Sequence, residues 1–175
     1  MSELIMLAGV PTSGKTTYVK NLKSMKYWEN AVILSTDNYI EKIAKEYNKT
    51  YNEVFADAIP DATRELELQL NIAKDKGEDI IFDQTNLSKK TRKKKLSKIP
   101  SHYRKTAVYF QLSLWEALDR NKHREGKFIP ESVLKQMYSR FEIPTYDEGF
   151  DYVECGTRTL EELSHQDFKD LFDAI

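Results

Sequence analysis

The sequence is short of cysteine, with Cys155 alone among 175 residues, so no disulfide can close within the chain. A single thiol beside many lysines fits a reducing compartment. The three histidines, His102, His123 and His165, stand far apart, and with one cysteine they make no metal-ligand spacing. No apolar run approaches the roughly 20 residues that cross a bilayer, so no membrane partner is expected. Met1-Ser2-Glu3 leads straight into apolar residues without a basic region or a cleavage site, which excludes a secretory signal from the expectation. There is no internal repeat, no Gly/Ser-rich or Pro-rich linker, and no Gly-x-Ser-x-Gly elbow for an acyl-transfer nucleophile. Charge of one sign is missing too: 27 basic against 28 acidic side chains leave a net charge of −1, so any basic surface must be local. One cytoplasmic domain over residues 1–175 is expected.

Short apolar runs alternate with amphipathic segments. Leu4–Leu7, Ala31–Leu34, Asp79–Phe82, Thr106–Phe110 and Tyr152–Glu154 read as strands. Helices are expected from Thr16 to about Met25, from Asp37 to Tyr47, and after Ser164, where Phe168, Leu171, Phe172 and Ile175 form an apolar stripe. Arg64 to Ile72 fits two periods. Leu66, Leu68, Leu70 and Ile72 alternate as in a strand, while Ala62, Leu66, Leu70 and Ala73 share a helical face; good helix formers favour the helix. Strands separated by helices predict an α/β fold with a mostly parallel central sheet, helices on both faces, and ligands at the carboxyl edge of the strands.

At the first such edge stands Gly9-Val10-Pro11-Thr12-Ser13-Gly14-Lys15-Thr16, followed by Thr17. Two glycines five apart, then Lys and a hydroxyl residue, form the Walker A pattern of P-loop nucleotide-binding folds. Backbone N–H groups of Pro11–Thr17 other than proline's wrap a polyphosphate, Gly9 and Gly14 allow close approach, and the next helix turns its positive end to the anion. Lys15 reaches the terminal phosphates, and the Thr16 hydroxyl is placed for Mg²⁺. ATP and Mg²⁺ are the expected cofactors.

The other strand ends carry polar groups whose roles the spacing leaves open. Asp37 fits a general base for an incoming hydroxyl and equally a helix N-cap. Asp83, Thr85 and Asn86 fit a magnesium shell and substrate contacts, or a turn into the next helix. The run Lys89 to Lys98, including Lys93, is either a solvated helix face or an electrostatic footprint for a phosphate backbone. Arg120 and Arg124 are four apart, hence on one helical face, with Leu114 and Leu118 on the buried side. Gly126, Lys127 and Pro130 then break the helix. That segment, about 115–130, reads as a mobile lid bringing arginine to developing phosphoryl charge, or as a solvated helix. Tyr27, Trp28 and the Tyr138–Tyr146 cluster are either base-stacking aromatics or partly buried core.

Taken in order, Gly9–Thr16, Thr36-Asp37-Asn38-Tyr39, Asp83-Gln84-Thr85-Asn86-Leu87, Trp115–Arg124, Ile129-Pro130 and Met137-Tyr138 resemble the kinase domain of phage-type polynucleotide 5′-hydroxyl kinases. The resemblance implies transfer of the ATP γ-phosphate to the 5′-OH end of a nucleic acid, in repair, in the host cytoplasm if the gene is phage-borne. It makes Asp37 the base, Lys15 and Thr16 the phosphate and magnesium groups, and Arg124 the lid arginine. Ile40 stands where the family has a phosphate-gripping arginine. The family's phosphatase motif, Asp-x-Asp-Gly, does not occur, so no phosphatase activity is expected. The Asp-Gln-Thr-Asn form also resembles nucleotide-binding modules of RNA-associated proteins. A small-molecule kinase and a binding module of low turnover stand as alternatives.

Overall fold

The computed structural model describes residues 2–156. The expected helix after Ser164 lies outside them. Five strands make one sheet: β1 (Ser2–Ala8), β2 (Val32–Leu34), β3 (Ile80–Phe82), β4 (Tyr103–Tyr109) and β5 (Tyr152–Cys155). Their order across the sheet is β2-β3-β1-β4-β5, and every pairing is parallel. Ile5 of β1 lies beside Ile81 on one flank and Thr106 on the other. The chain fills one side of β1 with β2 and β3, then crosses to fill the other with β4 and β5. The loop leaving β1 therefore sits where the winding reverses, the place at which such sheets open a crevice.

Alternation along β1 builds two cores. Leu4 and Met6 pack with Leu34, Leu66, Leu70, Ile80 and Phe82 on one face. Ile5 and Leu7 pack with Val19, Leu22, Trp28, Ile81 and Phe110 on the other. The helices are α1 (Lys15–Ser24), α2 (Thr36–Glu46), α3 (Tyr51–Lys76), α4 (Lys89–Leu96), α5 (Leu114–Lys122) and α6 (Glu131–Ser139); α3 and α4 contribute to the first core and α1 to the second, while α2 packs on α3 and α5 on α6 in smaller clusters.

The period ambiguity in Arg64–Ile72 is resolved within α3. Leu66 and Leu70 are buried, while Leu68 and Ile72 are 54% and 44% exposed, which is the helical pattern. The helix runs further than its apolar stripe suggested because both ends are well stopped. Thr50 and Glu53 form a reciprocal capping box at its start, and Gly77, at φ 65°, closes it in the left-handed conformation.

The basic run is neither wholly solvated nor wholly a footprint. Arg92 is fully buried; Nε and Nη2 each donate to the Glu148 carboxylate at 2.7 Å, and Nη1 donates to the carbonyls of Asn86, Leu87 and Glu142. It ties α4 to the chain that precedes β5. Lys95 also turns inward, donating to Gln84 Oε1 and Asn86 Oδ1, and burial pushes its amine down to about 8. Lys90, Lys93 and Lys94 remain exposed. A buried pair with its hydrogen bonds complete is costly to break from one side. Glu148→Ala, which strands the Arg92 charge, is expected to lower the unfolding free energy by about 3–5 kcal/mol in denaturant titrations. A loss under about 1 kcal/mol would mean that water reaches Arg92.

Candidate active site

The loop from Gly9 to Gly14 joins β1 to α1 and supplies the cradle. Gly9 has φ 157°, and a Cβ there would meet Ser13 Oγ at 2.8 Å and the Phe110 carbonyl oxygen at 3.0 Å, so the close approach demands glycine. Its N–H donates to the Thr85 carbonyl at 2.9 Å, which pins the loop to the end of β3. Thr12 is held at φ 71° and Gly14 at φ 101°, left-handed conformations of the kind from which anion-binding backbone concavities are built. Helix α1 then begins with no side-chain cap and no acidic residue in its first turn, unlike α3 and α5, whose starts are closed by capping boxes. Its leading N–H groups are left for an anion.

Lys15 occupies the middle of this cradle. Nζ donates to the carbonyls of Gly9 and Val10 at 2.9 and 2.7 Å and to Ser13 Oγ at 3.3 Å. Burial pushes the amine down to about 8; the Asp83 and Asp37 carboxylates oppose that shift and the Arg124 guanidinium adds to it. Those three groups therefore act on one ammonium from three separate segments: the end of β3, the first turn of α2 and the loop after α5. Burial raises the Asp83 carboxyl above its ordinary range, with Lys15 opposing. Thr16 and Thr17 are exposed on the first turn of α1.

Arg124 does not share a helical face with Arg120. Helix α5 ends at Lys122, so Arg124 falls in the following loop, half-buried, while Arg120 Nη1 reaches the Thr12 carbonyl at 3.3 Å. The buried side of α5 is Ala117 and Asn121, with Leu114 and Leu118 partly covered. Asn86 is 2% exposed, and its amide donates to the Leu7 carbonyl at 2.6 Å, so its side chain braces β1 against the turn after β3. Thr85 is half-buried at the same turn, and Lys93 lies out on α4. Trp28 is core, whereas Tyr138 and Phe141 line a cavity of about 450 Å³ beside Val10 of the loop.

Two partners of Asp37 carry no sequence signal as site residues. Tyr51 Oη donates to Asp37 Oδ1 at 2.8 Å, and Lys127 Nζ lies 2.7 Å from Oδ2. Tyr51 opens α3, and its hydroxyl reaches Asp37 only because α2 and α3 pack against each other; no local pattern marks it. Glu41, one turn after Asp37, is the acid that spacing alone places on the same face.

A family model described as AAA domain matches residues 4–144. The chain belongs to that family. Among curated relatives, it is 26% identical over 169 residues to L-seryl-tRNA(Sec) kinase of Methanococcus maripaludis, covering 94% of this chain and 62% of that protein. It is 24% identical over 165 residues to human heterogeneous nuclear ribonucleoprotein U-like protein 2, covering 91% of this chain and 22% of that protein. The chain thus spans under two thirds of either relative. Its fold matches a proposed kinase from Chloroflexus aurantiacus at TM-score 0.72 and 17% identity, over 99% and 94% of the two chains. A sugar kinase from Janibacter sp. HTCC2649 superposes at TM-score 0.64 and 20% identity, over 98% and 95%. A chain of the Pnkp1/Rnl/Hen1 RNA repair complex superposes at 0.62 and 20%, over 79% of this chain and 43% of that one. The fold is that of the P-loop kinases.

The depressed amine of Lys15 gives a pH signature. A polyphosphate needs the protonated form, so above about pH 8 binding must first take up a proton. Affinity for a nucleoside triphosphate, measured by calorimetry, is expected to be flat below that value. Above it, affinity falls by up to about tenfold per pH unit. Lys15→Ala should bind weakly, with this slope lost. An unchanged slope in that variant would assign the titration to another group.

Proposed function

We propose that this protein is an ATP-dependent kinase that phosphorylates the 5′-hydroxyl end of a polynucleotide. The observation that carries the reading is the convergence on Lys15 of Asp37, Asp83 and Arg124 at the carboxyl edge of the sheet. Phosphoryl transfer asks a protein mainly for positioning and charge compensation. The loop N–H groups and Lys15 hold the phosphates. Thr16, on the exposed first turn of α1, and Asp83, whose carboxylate acts on Lys15, are the groups that would hold Mg²⁺ together with the nucleotide's phosphates. Bound there, Mg²⁺ would supply neutralisation of charge on the phosphates. Asp37, on α2, accepts the hydroxyl proton of the acceptor, and Arg124 meets the charge that builds on the transferred group.

For the acceptor, exposed Lys90, Lys93 and Lys94 on α4 begin shortly after Asp83 and offer a phosphate backbone a track toward the crevice. The tRNA-directed relative and the RNA repair neighbour point the same way. A small-molecule acceptor is the second reading. It is favoured by Ile40, which is fully buried in the apolar packing between α2 and α3 and so brings no cation to the acceptor side of Asp37. The sugar-kinase neighbour fits that reading as well.

An acceptor screen with labelled ATP and Mg²⁺ decides between them. Label should pass to a 5′-OH oligonucleotide of DNA or RNA in preference to nucleosides and sugars; transfer to the small acceptors alone would overturn the polymer reading. The double variant Lys93→Gln/Lys94→Gln is expected to raise KM for the oligonucleotide several-fold and to flatten its salt dependence. KM for ATP should stay unchanged. Equal loss on a nucleoside acceptor would show that α4 does not track a polymer.

A further inference from the structure

The loop between α5 and α6 is fastened at both ends. At its base Asn121, 2% exposed, donates from Nδ2 to the Ile129 carbonyl at 2.7 Å and accepts the Ile129 N–H at 3.2 Å. At its tip the start of α3 holds it: Asn52 donates from its backbone N–H to the Gly126 carbonyl at 3.3 Å and from Nδ2 to the Phe128 carbonyl at 2.7 Å. Between these ties Lys127 points inward, its side chain 20% exposed. Its ammonium lies 2.7 Å from Asp37 Oδ2, 2.6 Å from Glu41 Oε1, and 4.4 Å from the centre of the Tyr51 ring.

The arrangement has a chemical consequence. Asp37 and Glu41 stand one turn apart on α2, and two carboxylates so placed repel unless a cation sits between them. Lys127 is that cation, and the Tyr51 face adds to its hold. With Tyr51 on Oδ1 and Lys127 on Oδ2, both oxygens of Asp37 are engaged. An oxygen already held by an ammonium is blocked from an incoming hydroxyl until that contact opens. Burial and the Asp37 carboxylate keep the Tyr51 hydroxyl protonated, so it remains a donor that orients Asp37 rather than a rival base.

We propose that Lys127 is the residue that makes Asp37 responsive to the acceptor. It restrains the carboxylate while no acceptor is bound, and passes to an acceptor phosphate when one arrives. This rests on the reading of Asp37 as the base. An acceptor bearing an anionic phosphate next to its free hydroxyl offers Lys127 a competing partner. As Lys127 shifts to it, Oδ2 takes the hydroxyl proton. The acceptor oxygen forms its bond to the γ-phosphorus while the bond from that phosphorus to the bridging oxygen breaks, leaving the electron pair on ADP. Water brings no phosphate, so ATP alone leaves Lys127 in place and is spared hydrolysis. A neutral sugar or nucleoside is disfavoured for the same reason.

The test compares wild type, Lys127→Met and Lys127→Arg as full chains, with ATP hydrolysis in the absence of acceptor as the first readout. The second is transfer to a 5′-OH oligonucleotide and to a nucleoside. Lys127→Met should raise acceptor-independent hydrolysis several-fold and raise KM for the oligonucleotide by about tenfold or more. Discrimination against the nucleoside should narrow, with KM for ATP unchanged. Lys127→Arg should restore most of the wild-type pattern. Wild-type hydrolysis and KM in Lys127→Met would overturn the proposal, and so would a parallel rise in KM for ATP, which marks a merely loosened loop. Lys127→Gln carries the same comparison if the methionine variant does not fold. Asp37→Asn, run alongside, separates the two levels. If it transfers phosphate at the wild-type rate, the base assignment fails; if it loses transfer while Lys127→Met behaves as wild type, only the role of Lys127 fails.

Discussion

The buried ammonium of Lys15 is the constraint around which the rest of this molecule is arranged. A lysine sunk among loop carbonyls is disfavoured as a cation, and burial moves its amine down to about 8. It stays in place because Gly9 lets the loop close tightly, because Thr12 and Gly14 take left-handed conformations, and because two carboxylates face it. The same features leave α1 uncapped. Each is a cost without a ligand, and together they describe a site prepared for polyphosphate. The parallel sheet supplies what the loop cannot: it brings the ends of β1, β2 and β3 to a single edge, so residues 15, 37 and 83, distant in sequence, act on one another.

Where the sequence carried a strong local period or motif, the fold was legible. The strands after which the site residues follow were visible as apolar runs, and the loop from Gly9 to Thr16 as a spacing. Asp37 and Asp83 were visible because the strand-end rule says where to look. What stayed hidden depends on tertiary packing. Arg92 and Lys95 sit in a run whose composition says surface, yet the chain before β5 and the turn after β3 give their charges buried partners. Tyr51 is an ordinary first-turn residue until α3 folds back on α2. Arg124 follows Arg120 at helical spacing, but α5 stops at Lys122, and Asn121 in its last turn fastens the loop that carries Arg124 away from the helix.

The loop between α5 and α6 is the part on which sequence and structure differ most in character. Gly126 and Pro130 mark a break, and a free flap is the natural expectation. The loop is instead tied by Asn52 and Asn121 and carries Lys127 to Asp37. On the proposed reading of Asp37 as the base, a loop that engages it would couple two requirements of phosphoryl transfer, exclusion of water and selective activation of the acceptor, in a single side chain.

The central claim is that the cradle, the carboxylate and the guanidinium serve one transferred phosphoryl group. It is tested most directly by a crystal structure with ADP, Mg²⁺ and aluminium fluoride standing in for that group. The expected result places an apical aluminium ligand within about 3 Å of an Asp37 oxygen and Arg124 against the equatorial fluorides. An apical position facing any group other than Asp37, with Arg124 turned away from the fluorides, would contradict it.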